Sequence, residues 1–434
     1  MNKTQKNIKL FFLCVLCALC GAKVSQAAEV RVLTLDQAIG IAMERNRDIE
    51  TAREYGKSVE GKYVEERAAA LPQLTLTASA ASARDSSQQF AGIPVSTQQT
   101  RNADISLSQP LYTWGKVSAA IRAARLGLKT ADEQLRLYQQ AARRDVTAAF
   151  YDILLARELH KLALQNLEQK ERHRDEAHKK LAAGVATDYD TLAADVAVEN
   201  ARPEVIRSEN RIRLARERLR FLLGIDQQKV DATGTLAIAP RPQPAYEDLL
   251  ATARTKRPEL RDLRYRIGVY NELVTIAAAE NKPRLDLKGG VGWHSLDFAG
   301  ASQDGAAWSA GVYLSFPFFD GFRTSGRVQQ ARSDLHTKEI EEARLADNIA
   351  LEVRDAAYAL NEAGEIVRAL SGTVSQAKRL LTMAEQGYEY GVKIRLEVED
   401  AQLNLLQAES SLARARRDYL VAETNLRWVT GTLE

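Results

Sequence analysis

The chain has little cysteine, little aromatic residue and no constellation that does chemistry. All three cysteines, Cys14, Cys17 and Cys20, fall within the first 20 of 434 residues. Disulfides and thiol chemistry are thereby excluded from everything downstream. Its five histidines, His160, His173, His178, His294 and His336, contain no i, i+4 pair. A His-Glu-x-x-His run, a phosphate loop and a nucleophile elbow are absent too, so no catalytic site, metal site or cofactor is expected. Met and His form no cluster. Aromatics make up only 6% of a chain that is 45% hydrophobic and 27% charged. That balance, rich in Ala, Arg, Glu, Leu and Gln, favours long helices.

The N-terminus reads as an export signal over residues 1–27. Lys3, Lys6 and Lys9 precede an uncharged apolar run, Leu10 to Ala22, and Ser25-Gln26-Ala27 supplies small residues for cleavage. The apolar run is too short to cross a bilayer as a helix. Leu19 makes the approach to Cys20 a poor lipoprotein signal. Cleavage removes Lys3, Lys6, Lys9 and Lys23, leaving 56 of the 60 basic residues against 57 acidic ones. A near-neutral chain gives no reason to expect a nucleic-acid partner.

What is present is a repeat. SLSQPLYTWGKVSAAIRA begins at Ser106 and YLSFPFFDGFRTSGRVQQ at Tyr313. Aligned on Pro110 and Pro317 they are offset by 207, and the same offset pairs Tyr151 with Tyr358, Gly184 with Gly391 and Gly224 with Gly431. The first copy is expected over 28–239 and the second over 245–434, joined by a Pro-rich linker at 240–244.

Each copy repeats one order of elements. A short amphipathic helix (about 35–45 and 246–256) leads to a second helix that stops before Pro72 or Pro283. A strand pair follows at about 72–112 and 283–319. Long helices at about 114–183 and 322–390 come next, with no proline between Lys116 and Ala183 or between Arg323 and Tyr390. At 1.5 Å per residue each would extend roughly 100 Å, more than a globular core can enclose. Return helices at about 187–224 and 394–431 end at glycines placed as caps. Ala401, Ala408, Ala415 and Ala422 alternate with Leu405, Leu412, Tyr419 and Leu426, a heptad seam of small and large residues. Pro203 is expected to kink or interrupt the first return helix.

The strand segments alternate. Leu74, Leu76, Ala78 and Ala80 oppose Thr75, Thr77 and Ser79, a pattern of membrane β-barrels and also of half-buried soluble strands. The export signal and the aromatics at the strand exits favour the membrane. Four strands per chain cannot close a barrel, so several chains must contribute to one.

With these features the chain resembles the TolC family of outer-membrane efflux and secretion channels over nearly its whole length. The resemblance is carried by the duplicated plan, Arg257-Pro-Glu-Leu260, the aromatic-Gly-base strand exits, and two turn regions. The turn regions are Gln386-Gly-Tyr-Glu-Tyr-Gly-Val-Lys-Ile-Arg-Leu-Glu-Val-Glu-Asp-Ala401 and Ala183-Gly-Val-Ala-Thr-Asp-Tyr-Asp190. It implies a mainly α fold with membrane β. Antiparallel long helices would form the α-barrel of a homotrimer, and four strands per chain a 12-stranded barrel in outer-membrane lipid. The implied function is a passive exit duct that meets a periplasmic adaptor (membrane fusion) protein and an inner-membrane pump of RND or ABC type. An exit duct for type I protein secretion is the sister reading, and a periplasmic coiled-coil scaffold without a pore the alternative from another class.

The resemblance also implies roles for particular residues. Glu397 and Asp400 match an acidic ring at the pore entrance, although acids in a first helical turn also offset the helix dipole. Tyr388, Lys393 and Asp190 match a latch that holds the entrance closed. Thr187-x-x-Asp190 is equally a capping box, and Tyr388 and Lys393 could be ordinary surface residues. Gly184, Val185, Gly391 and Val392 match tip turns that dock the adaptor. Tyr112, Trp114, Phe318, Phe319 and Phe322 are expected at the membrane interface.

Overall fold

The computed structural model describes residues 31–84, 97–226, 228–239, 244–298 and 301–433. The export signal at 1–27 and linker residues 240–243 lie outside the described residues.

The chain divides into two compact units. One comprises Met1–Arg47, Ala142–Pro242 and Tyr358–Leu426; the other comprises Asp48–Ala141, Gln243–Ala357 and Arg427–Glu434. Two 67-residue helices, α3 (Lys116–Ala182) and α7 (Arg323–Glu389), contribute residues to both.

In the first unit, strands β1 (Arg31–Leu33) and β4 (Val230–Ala232) form a small parallel sheet. Helix α1 (Leu35–Arg45) starts at a capping box between Thr34 and Gln37. A core forms where Val146, Phe150 and Ile153 of α3 meet Leu219 and Leu223 at the end of α4 (Asp188–Leu222), with Leu33, Ala38 and Val230 closing it. Asp231 of β4 is buried between Arg157 and Arg216, and Arg216 Nη2 lies 2.5 Å from its carboxylate. A buried carboxylate needs such partners. This sheet was not legible in the sequence, because three-residue strands carry no periodicity.

Helix α4 runs without interruption through Pro203, so of the expected kink or interruption the interruption does not occur. Proline removes one ladder hydrogen bond, and buried contacts on either side of it, at Val198, Ala201 and Ser208, hold the helix in place. The return helix of the second copy, α8 (Arg395–Val429), is also 35 residues long. It packs Ala408 and Leu412 against Val374 and Ala377 of α7.

In the second unit, β2 (Gln73–Ala83), β3 (Gln98–Tyr112), β5 (Arg284–Phe298) and β6 (Ala301–Ser315) form one antiparallel sheet in that order. Successive side chains alternate between faces. The register gathers Leu74, Leu76, Ile105, Val291, Trp308 and Leu314 on one face, and all six are exposed. Helices α2 (Arg47–Ala68), α5 (Tyr246–Lys256) and α6 (Pro258–Ala278) complete the element order. Arg257, between α5 and α6, is buried with its guanidinium on Glu259 (2.8 Å) and Glu352 and over the Trp428 ring. That gives the Arg-Pro-Glu-Leu stretch a structural role.

Candidate functional site

The candidate site is the pair of helix turns in the first unit. Helix α3 stops at Gly184, where φ is +72°. Val185 N donates to Lys180 O at 2.9 Å and Gly184 N to Leu181 O at 2.9 Å. Helix α7 stops the same way at Gly391, φ +71°, with Val392 N on Gly387 O at 2.8 Å and Gly391 N on Tyr388 O at 3.0 Å. This doubled closure satisfies the last helical carbonyls and requires a left-handed residue, which glycine adopts without penalty. It leaves Val185 (74%) and Val392 (77%) projecting into solvent at the turn tips.

Each turn then starts a return helix with an acid. Thr187 N donates to Asp190 Oδ2 at 2.9 Å, and Asp190 N to Thr187 Oγ1 at 3.4 Å. The donors of Thr187, backbone first, hold the Asp190 carboxyl below the usual range. In the second turn Ile394 N donates to Glu397 Oε2 at 3.1 Å while Lys393 pairs with the same carboxylate. The Lys393 ammonium, and then the Ile394 amide, push the Glu397 pKa down. Asp190, Glu397 and Lys393 are thus each engaged at their own helix start. Glu399 pairs with Arg395 at 2.9 Å. The side chain of Asp400 is exposed and, among the described residues, makes no ion pair or hydrogen bond within the chain.

A contact that crosses from one hairpin to the other near the turns is made by a residue the sequence did not single out. Lys180 Nζ donates to Tyr388 Oη at 3.0 Å and lies 5.2 Å from the centre of its ring. A cleft lined by His173, Lys180, Asp190, Tyr388, Arg395 and Glu399 separates the hairpins. Behind it, Gln402 Nε2 meets His173 Nε2 at 3.1 Å. The structure therefore brings Tyr388 to Lys180 rather than to Lys393 or Asp190. Lysines near a helix C-terminus are common surface residues that favour the dipole, so nothing in the sequence marked Lys180.

At the strand exits the aromatics are exposed and paired edge to face. Tyr112 and Trp114 have ring centroids 5.2 Å apart, and Phe319 and Phe322 are 6.0 Å apart. Phe318 is 86% exposed. Trp114 and Phe322 both have positive φ, each beside a positive-φ glycine, Gly115 or Gly321.

Among the described residues no group of three or more His, Cys, Asp or Glu side chains could hold a metal ion, and no helix is long and apolar enough to cross a membrane.

Comparison with known proteins agrees with this architecture. Residues 38–225 and 249–432 each match the model of the family described as outer membrane efflux protein. The chain is 25% identical over 380 residues to outer membrane protein TolC of Vibrio cholerae, covering 85% of this chain and 83% of that one. It is 26% identical over 343 residues to the alkaline protease secretion protein AprF of Pseudomonas aeruginosa, covering 76% and 69%. The solved outer-membrane channel CmeC of Campylobacter jejuni superposes with a TM-score of 0.81 at 17% identity, covering 92% of this chain and 85% of that one. With the family model matched over most of its length, the chain belongs to the outer membrane efflux protein family of TolC-like channels.

Proposed function

We propose that this outer-membrane duct works as a homotrimer, passing small molecules from an inner-membrane pump of RND or ABC type, through a periplasmic adaptor, across the periplasm and outer membrane. The observation that carries this reading is the four-stranded sheet with an exposed apolar face and two unpaired edges, β2 and β6. Such edges are not tolerated in lipid, and spanning barrels begin at about eight strands. Three chains would contribute twelve. Helix α4 supports the same reading. Leu192, Val196, Ile206, Leu214 and Phe221 are exposed on the side opposite its buried Ala194, Val198, Ala201 and Ile212, which suits a helix flanked on both sides.

In this reading the aromatics Tyr112, Trp114, Phe318, Phe319 and Phe322 sit at the membrane interface. Gly184, Val185, Gly391 and Val392 meet the adaptor. Glu397 and Asp400, repeated by symmetry, put acids around the entrance, with the unpartnered Asp400 free to face the pore. Lys180 and Tyr388 act as the latch, since theirs is a contact near the turn tips that must break for the hairpins to separate. The protein acts as a conduit and not as an enzyme. A protein-secretion duct is the second reading, favoured by the likeness to AprF. A scaffold without a pore leaves the apolar sheet face unexplained.

Native mass spectrometry of the protein extracted from outer membranes in detergent tests the assembly. The mass of three chains is expected. A single-chain mass, with the protein recovered from the soluble periplasmic fraction, would contradict it.

A further inference from the structure

Midway along the polar face of the sheet one charged pair stands apart from the others. His294 Nε2 lies 2.7 Å from Asp104 Oδ1, diagonally across β3 and β5. Asp104 stands opposite Gly292 in the register. A Cβ on Gly292 would come within 2.9 Å of the Asp104 carboxyl carbon, so glycine keeps the space that the carboxylate occupies. Along this row the neighbours are Thr77 on β2 and Ala307 on β6; along the next, Ser79, Asn102 and Gly305 accompany His294.

Other charges stand well away. Strand β2 has no titratable residue, and the single charged residue of β6, Asp304, has the opposite parity. On β5, Arg284, Asp286 and Lys288 share the face of His294, but Arg284 pairs with Asp286 at 2.8 Å and Lys288 lies over Tyr313. Six residues separate Lys288 from His294, about 20 Å along a strand. Arg101 and Asp297 pair with each other on the apolar face. Strands β2 and β6 bring no further charge to the polar face from a neighbouring copy. The charge at mid-sheet is accordingly set by one carboxylate and one imidazole, half-exposed to whatever passes.

We propose that the Asp104–His294 pair is a charge-selective station on the barrel wall, favouring cationic over anionic solutes when the imidazole is neutral and losing that preference when it is protonated. This rests on reading the polar face as the wall of a water-filled lumen. Imidazole is the side chain that ordinarily changes charge between about pH 5 and 8. Protonation then turns a net negative station into a neutral pair.

The test places a thiol beside the pair with Ala307→Cys, and a control thiol on the other face with Ala306→Cys. The native cysteines Cys14, Cys17 and Cys20 all fall within the leader-like segment. Labelling rates with cationic and anionic methanethiosulfonates are compared at pH 8 and pH 6. Taking their ratio cancels the thiol's own ionisation, and the labelling does not require an open tip. A cation-to-anion ratio about threefold to tenfold higher at pH 8 is expected. His294→Gln should abolish the pH dependence, and Asp104→Asn should lower the ratio at both pH values. An equal pH dependence in His294→Gln would overturn the station. No labelling of the Ala307→Cys protein by either reagent, with the Ala306→Cys protein labelled, would instead overturn the lumen reading on which it rests.

Discussion

The two tip turns share a backbone and differ in how they use one position. Lys180 and Gly387 are equivalent, each offering its carbonyl to the amide five residues on. In the first turn Lys180 reaches out to Tyr388. In the second the position is emptied: a Cβ on Gly387 would lie 2.5 Å from Lys393 Cγ, so the missing side chain makes room for the stem that carries Lys393 to Glu397. The duplicated chain has kept the closure of the helix and reassigned the side chains around it, one reaching across the cleft and one turning back on its own helix.

The largest effects should separate glycines with the same φ but different surroundings. Gly224 and Gly431 close α4 and α8 with φ +65° and +68°. A Cβ on Gly224 would meet the Arg45 carbonyl carbon at 3.0 Å, and one on Gly431 the Lys256 carbonyl carbon at 2.8 Å. At Gly184 and Gly391 nothing lies within 4 Å. Gly224→Ala and Gly431→Ala should cost about 2–5 kcal/mol, combining left-handed strain with overpacking. Gly184→Ala and Gly391→Ala should cost only the strain, about 1–2 kcal/mol. Thermal denaturation of the detergent-solubilised protein reads the difference, and equal losses at all four would erase the distinction between packed and open turns.

A smaller effect distinguishes the two caps. Thr187→Ala should cost about 1 kcal/mol locally and speed amide exchange at the start of α4 alone. Gly387→Ala should displace Lys393 and loosen the start of α8 alone. Because Asp190 and Glu397 both have lowered pKa values, their stabilising contribution is full above the ordinary carboxylate range and disappears as pH falls through the lowered values. Hydrogen-exchange protection at both turns, corrected for the intrinsic rate at each pH, should fall in acid, with each variant blunting the change at its own turn. The smallest effect is expected at the strand exits. Trp114-Gly115 and Gly321-Phe322 place two consecutive left-handed residues at equivalent positions in opposite order of aromatic and glycine. Exchanging Trp114→Gly with Gly115→Trp should therefore change stability by less than about 1 kcal/mol.

What could be read from the sequence was whatever has a period or a punctuation mark. Glycine at 184, 224, 391 and 431 announced the helix ends because a left-handed cap needs it. Alternation from Leu74 to Ala80 announced the faces of β2, and the small-large seam from Ala401 to Leu426 the buried side of α8. Lys180 carried no such mark, since its partner is 208 residues away. The Asp104–His294 pair depends on a register between strands 190 residues apart. Glu397 reads with Asp400 as an acidic ring and Lys393 with Tyr388 as a latch; the pairing of Glu397 with Lys393 was not legible, because it is set by the space at Gly387. Pro203 does not interrupt α4, because packing on both sides of it outweighs one lost hydrogen bond.

Single-channel recording in a planar bilayer tests whether the Lys180–Tyr388 contact between the hairpins holds the tip of the duct closed. Wild type would be compared with Lys180→Ala and Lys180→Arg. Wild type should form channels, Lys180→Ala should spend several-fold more time open, and Lys180→Arg should return towards wild type. Channels whose open time is the same in all three would contradict the role of Lys180, and no channels from any of them would contradict the duct.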